Sequence, residues 1–241
     1  MDQQTPPPAP TADTLAFDRL MTARHSCRAF RPDPLPRATI EAILTIAQKT
    51  ASWNNTQPWQ VTIASGAARD AFRDLMVSQA IGSGSPDSAG AKPDADFPFP
   101  REYRGVALDR RRACGFQLYD AVGVARGDKV AYARQALRNF QLFDAPHVAI
   151  ITTEEPLGVY GAVDCGAYVS NFMTAATSLG VATIAQAALA VHSKAIRTHF
   201  GMGEDRRVVC GISFGLADVA HPVNAYRTAR AGLDEVVTWV E

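Results

Sequence analysis

Neither sign of charge prevails in this chain, where 24 Lys and Arg face 24 Asp and Glu in 241 residues. A surface without a basic excess has no electrostatic hold on nucleic acid or on an anionic membrane. Cysteine is scarce as well. Cys27, Cys114, Cys165 and Cys210 stand far apart with no C-x-x-C or ligand spacing, which points to reduced thiols in the cytoplasm. His25, His147, His192, His199 and His221 are scattered and no H-E-x-x-H occurs, so a metal site has no support. Residues 1–13 are rich in Pro and Gln and lack a signal-type apolar run, so they are expected to form a disordered tail ahead of one domain over 14–241. One long segment, Cys165–Ser193, carries no charged residue. Its length suffices for a bilayer, but its Ser, Thr, Asn, Gln and Gly180 mark a buried core segment.

Two polar clusters stand out. Arg24–Arg28 (R-H-S-C-R) puts Arg24, His25, Ser26 and Arg28 within five residues. Guanidinium forks bind phosphate oxygens bidentately and a Ser hydroxyl adds a neutral donor, so this is a polyanion clamp. Ser52–Trp59 (S-W-N-N-T-Q-P-W) sets the amides of Asn54, Asn55 and Gln57 between two indoles. Edge hydrogen bonds and apolar walls are what a flat heteroaromatic ring requires. Together the clusters describe a nucleotide-like cofactor such as FMN.

Other motifs carry less. Gly211–Gly215 (G-I-S-F-G) fits the nucleophile-elbow pattern of serine hydrolases around Ser213, but the only downstream histidine is His221, with Asp218 between. One short segment cannot set three groups in triad geometry. The Gly-rich stretch Gly82–Gly90 follows a helical pattern and lies among breakers, so it is no dinucleotide fingerprint.

Periodicity predicts helices over Asp13–Ala23 (capped by Asp13, with Leu15, Leu20 and Met21 apolar), from Pro36 through the Ile40, Ile43, Leu44, Ala47 stripe, and over Ala67–Ile81. Further helices are expected at Glu102–Val124, Asp128–Phe143, Gly161–Leu179 and Ser193–Phe200. Strands are expected at Gln60–Ser65, His147–Thr153, Val181–Ile184, Arg207–Leu216 and the tail Leu233–Val240. Gly82–Pro100 is a breaker-rich loop, read as a lid that carries Phe97 and Phe99. Helices outnumber strands and segregate from them, which gives an α+β fold with a mostly antiparallel sheet flanked by helices. Gly161–Leu179 is apolar almost all round, so it is buried on most sides or paired with a second subunit.

The run R-H-S-x-R-x-F, a helix, then N-x-Q-P-W resembles the N-terminal signature of the nitroreductase-like flavoproteins. L-G-V-A-T-I-A-Q at Leu179–Gln186 and Y-R-T-A-R at Tyr226–Arg230 extend the likeness over nearly the whole chain beyond residue 14. The resemblance implies an interlocked homodimer with two flavin sites in its interface and exchanged C-terminal strands. It implies non-covalent FMN, NADH or NADPH as electron donor, and ping-pong reduction of nitroaromatic or quinone-like acceptors through flavin N5. No protein residue is then catalytic in its own right. Cofactor contacts fall on Arg24, His25, Ser26, Arg28, Asn55, Gln57, Gln186, Ala187, Ala188, Arg227 and Arg230. Arg28 takes the place near flavin N1 and C2=O, while Ala187 and Ala188 stand where many relatives have Glu-Gly. Trp53, Phe97, Phe99 and Tyr103 are candidate walls for a flat substrate. A flavin-binding redox sensor or storage protein without turnover is the alternative, followed by the serine hydrolase.

Overall fold

Alternation in one strand decides the layering. In V-A-I-I, Val148 and Ile150 join a core with Phe72, Met76, Leu189 and Ile196, whereas Ala149 and Ile151 join another with Ile43, Tyr168 and Phe172. A strand buried on both faces must be the middle layer of three, and each large apolar side chain so enclosed contributes about 1.5–3 kcal/mol. The computed structural model describes residues 9–82 and 92–240. It contains, in chain order, α1 (Ala12–Ala23), α2 (Arg37–Ala47), β1 (Gln60–Ser65), α3 (Gly66–Gly82), α4 (Gly105–Ala121), α5 (Lys129–Leu137), β2 (His147–Glu154), α6 (Gly158–Ser178), β3 (Ala182–Gln186), α7 (Ser193–Phe200) and β4 (Arg206–Gly215). The sheet order is β1-β2-β4-β3 and every pairing is antiparallel. Helices α2 and α6 cover one face; α3 and α7 cover the other.

Helix α6 approaches β2 closely at Gly161. A Cβ there would meet the Thr153 hydroxyl at 2.6 Å and Leu157 Cβ at 2.9 Å, so a larger residue would force these neighbours to shift. Among the described residues no helix is long and apolar enough to cross a membrane. The uncharged run instead divides into most of α6, strand β3 and a short turn.

Several expected boundaries move. Helix α1 is capped by Thr11 rather than Asp13, because the Thr11 hydroxyl accepts from Thr14 N at 3.2 Å. None of Leu15, Leu20 and Met21 is buried, so its apolar face is uncovered in the single chain. Pro36 caps α2 instead of opening it. Helix α4 is shorter than Glu102–Val124 at both ends. The helix expected over Asp128–Phe143 stops at Leu137, and further on Leu142, Phe143 and Asp144 are all left-handed (φ 57°, 51° and 61°). That unwinding buries Leu142 and Phe143 in two different clusters, which a continuous helix could not do. The tail expected as a strand forms a turn at Leu233–Glu235 and is otherwise irregular to residue 240. A strand needs an edge to pair with; β1 stands at one edge of the sheet, but no described residue of the tail pairs with it. Of the expected N-terminal tail, residues 1–8 lie outside the described residues, as do residues 83–91 of the expected lid.

Candidate active site

Helix α1 ends at Ala23 and the chain turns extended at Arg24 (φ −62°, ψ 122°). Ser26 then forms a parallel bridge to Thr183 of β3, and Cys27 N donates to Thr183 O at 3.0 Å. In extended backbone, side chains alternate in direction. Cys27 points inward to Phe30, Phe143 and Ile184, and burial pushes its thiol pKa up to about 11. Arg24, Ser26 and Arg28 are thereby turned to the opposite side.

The far end of the chain closes over them. Asn224, almost fully buried, accepts from Arg28 N through Oδ1 at 2.8 Å, while its Nδ2 donates to Ala29 O at 2.8 Å and Asp218 O at 2.9 Å. This lashes Tyr226–Arg230 against Arg24–Arg28 and encloses a cavity of about 520 Å³. Arg24, His25, Ser26, Arg28, Arg227 and Arg230 all line it, with Met21, Thr22, Cys114, Tyr226 and Thr228. Six positions singled out at opposite ends of the sequence are thus brought together.

The lining holds four guanidinium groups and no carboxylate. Among the described residues, none of Arg24, Arg28, Arg227 and Arg230 forms an ion pair. Neutral acceptors hold three of them instead. Arg28 Nη1 donates to Tyr226 Oη at 2.9 Å, Arg227 Nη1 to Asn224 O at 2.8 Å and Arg230 Nη1 to Thr228 Oγ1 at 2.8 Å. Burial is the main cause lowering the pKa of His25; its contact with Ala23 O opposes the shift, and the charges of Arg227, Arg24 and Arg28 add to it. Four cations without an ion pair in one cavity, in a chain of zero net charge, give it the donors to hold a multiply charged anion.

The amide-and-indole loop lies elsewhere. Asn54, Asn55 and Gln57 do not line the cavity, and all three are left-handed (φ 52°, 56° and 47°). Asp164 of α6 holds the loop's entry by accepting from Trp53 N at 3.1 Å, and Ser52 Oγ holds its exit by accepting from Gln57 N at 2.9 Å. The two indoles divide. Trp53 is exposed and meets Tyr160 edge-on at 4.7 Å, whereas Trp59 is buried against Tyr168 at 5.0 Å, so only Trp53 is free to act as a wall.

Gln186 is not at the cavity either. Its side chain is buried, donating to Asn139 O at 2.7 Å and accepting from Ser213 Oγ. Ala187 and Ala188 follow at the start of a 3-10 turn, Ala187 exposed and Ala188 half-buried. Neither Phe97, Phe99 nor Tyr103 lines the cavity; Tyr103 lies beneath Arg111 at 5.1 Å. Asp96 is bolted down by Arg197 and by Val208 N at 2.7 Å, which fixes the start of the Phe97–Phe99 segment. Ser213 sits wholly buried in β4 with an amide as partner, not an imidazole, so it cannot serve as a hydrolytic nucleophile.

A model described as the Nitroreductase family matches residues 21–216, four-fifths of the length. The chain belongs to the nitroreductase family. Nitroreductase NfnB of Mycolicibacterium smegmatis is 37% identical over 238 residues, 98% of this chain and 97% of that protein. Chloronitrobenzene nitroreductase of Comamonas testosteroni is 32% identical over 224 residues, covering 93% of this chain and 96% of its own length. The crystal structure of the FMN-dependent nitroreductase NfnB from Mycobacterium smegmatis in complex with NADPH superposes with a TM-score of 0.87 at 34% identity, covering 94% and 99% of the two chains. Sequence reasoning about this nitroreductase missed Asn224, Tyr226, Thr228, Cys114 and Asp164. Tyr226 and Thr228 stood inside a noted motif; the others carry no local signal.

Proposed function

We propose that this nitroreductase binds FMN, draws reducing equivalents from NADPH or NADH and reduces nitroaromatic or quinone-like acceptors. The observation that carries the reading is the four-guanidinium cavity without a carboxylate. A terminal phosphate dianion fits that donor set. Arg24, Arg227 and Arg230 supply charge-assisted bonds, roughly 1.5–3 kcal/mol each, and Ser26 supplies a neutral one. His25, its pKa lowered, contributes as a neutral ring whose Nδ1 is engaged by Ala23 O at 2.9 Å. Arg28, oriented by the Tyr226 hydroxyl, is the cation positioned to stabilise negative charge on the adjoining ring system. When bound, FMN supplies the two-electron chemistry, so the protein's task is binding, orientation and charge.

Homodimerisation accounts for what one chain leaves incomplete. Asn55 and Gln57 lie away from the cavity of their own subunit, and we read them as completing the cavity of a partner. Exposed Leu15, Phe17 and Met21 on α1 and Val159, Tyr160 and Val163 on α6 supply apolar surface for such an interface. The irregular tail is read as a segment that finds its pairing edge only on the second subunit. Donor and acceptor then use one open place in turn, which gives ping-pong kinetics. The scattered free thiols favour a cytoplasmic setting.

The test is direct. Purified protein should be yellow, release FMN on heating, oxidise NADPH or NADH faster when a nitroaromatic is added, and run as a dimer by light scattering. Colourless protein that takes up no added FMN, or released FAD, would refute the cofactor. A flavin-loaded protein with no acceptor-stimulated turnover would leave the storage or sensing alternative instead.

A further inference from the structure

The amide loop contains a hydrogen-bond chain whose direction is forced. An indole N–H can only donate. Trp59 Nε1 lies 3.0 Å from one end of the Gln48 side-chain amide, so that end is the carbonyl oxygen. The other end of Gln48 is then NH₂, and it lies 3.0 Å from one end of the Gln57 amide, which must therefore also be the oxygen. What Gln57 has left is its own NH₂. That group makes only long contacts, 3.4 Å to Asn55 O and 3.3 Å to Asn55 Oδ1, on an exposed side chain.

Both ends of the chain are anchored. Trp59 is buried and stacked on Tyr168, so its N–H cannot swing away. The Gln57 backbone is held by Ser52 Oγ in a left-handed conformation that non-glycine residues rarely adopt. An amide that turned over would set carbonyl against carbonyl and lose a bond.

We propose that Gln48 is a positioning residue that transmits the donor character of the Trp59 indole to Gln57, so that the loop offers N–H donors and recognises a hydrogen-bond acceptor on its ligand. Resting on the reading that this loop clamps a flavin ring, the recognised group is a ring carbonyl oxygen or an unprotonated ring nitrogen, and not the ring's imide N–H. Gln48 itself touches no ligand. Its contribution is the orientation of its neighbour.

Gln48→Glu tests the relay at constant size. A carboxylate still accepts from Trp59 but presents a second oxygen to Gln57, whose amide must turn its NH₂ inward and its carbonyl outward. The FMN Kd is measured on full-length protein from the flavin fluorescence recovered as holoprotein is diluted, for wild type, Gln48→Glu, Gln57→Ala and the double variant. Gln48→Glu should raise Kd about tenfold, and the double variant should be no weaker than Gln57→Ala alone, because the first change acts through the second residue. An equal loss from Gln48→Glu in both backgrounds overturns the proposal. A second readout needs no cofactor. In NMR spectra of the full chain, the Gln57 NH₂ signals should shift on Gln48→Glu while the Trp59 indole N–H stays hydrogen-bonded, and Gln48→Leu should free that indole N–H. Unmoved Gln57 signals overturn the relay. A wild-type protein that binds no FMN would defeat the functional reading alone, since the NMR comparison decides the relay independently.

Discussion

The backbone N–H of Arg28 donates to the side-chain oxygen of Asn224 across 2.8 Å, although 196 residues separate the two in sequence. This bond and the two that Asn224 donates to Ala29 O and Asp218 O join the beginning and end of the chain over the cation-lined cavity. Asn224→Ala leaves the Arg28 N–H without its partner in a nearly dry site, while Ala29 O and Asp218 O keep the donors Asp218 N and His221 N. A loss of about 1–3 kcal/mol is expected, read as a lower urea midpoint at unchanged slope. FMN should also bind more weakly, because Tyr226–Arg230 is no longer tied to Arg24–Arg28. Unchanged stability would mean that water replaces the amide there.

Arg230→Glu should raise the FMN Kd by roughly 10- to 100-fold while the fold survives, since it removes one charge-assisted contact and adds repulsion. Lys129→Glu, exposed and outside the cavity lining, is the matched control. Equal loss in both variants would mark Arg230 as an ordinary surface charge.

His147 makes stability depend on pH. Its Nε2 accepts from Leu35 N at 2.8 Å, so the ring is neutral when folded, and Nδ1–H faces Ser65 Oγ. Burial is the larger cause lowering its pKa, with the Arg69 charge second. The folded pKa thus lies below the unfolded value of about 6.5. The unfolded state binds more protons as pH falls, so the contribution is complete above about 6.5 and is lost on acidification toward the folded pKa. Urea midpoints should fall from pH 7.5 to 5.5, and His147→Gln should flatten that fall. His25 and His192, also lowered by burial, will keep part of it. An identical pH slope in the variant would remove His147 from the account.

Asp96 and Arg197 form an ion pair in which the carboxylate is 5% and the guanidinium 16% exposed. Asp96→Ala strands a cation and frees Val208 N, with an expected cost of about 3–5 kcal/mol. A change below about 1 kcal/mol in chemical unfolding would show the pair to be solvated.

Phe97 and Phe99 follow that anchor. If they cover the acceptor, replacing both by Ala should raise the acceptor KM or alter which nitroaromatics are used, and FMN release should change little. Unchanged acceptor kinetics across several substrates would reduce the segment to a connector and leave Trp53 as the wall to examine.

Local pattern carried the fold a long way. Strand β1 and helix α7 occupy the residues that alternation and helical period assign them, Val61 and Ile63 of β1 packing on one core and Ala64 on the other. The strand expected at His147–Thr153 is present, and its V-A-I-I run is covered on both sides. Pattern failed where burial was shared between layers: Leu142 and Phe143 look like the end of a helix, yet each is wanted by a different core, and the backbone leaves the helix to serve both.

By itself the sequence determined the cations. Arg24, His25, Ser26 and Arg28 are neighbours in the chain, and Arg227 and Arg230 fall in one motif, so their chemistry needed no folding to be recognised. Only the tertiary structure decided that the two groups share one cavity free of carboxylates, and that Gln186 spends its amide on Ser213 and Asn139 rather than there. The physical reason is range. Charge and hydrogen-bonding capacity belong to each residue wherever it stands, but which partner satisfies them depends on strands β3 and β4 and on Asn224, brought alongside Arg24–Arg28 from the far end of the chain.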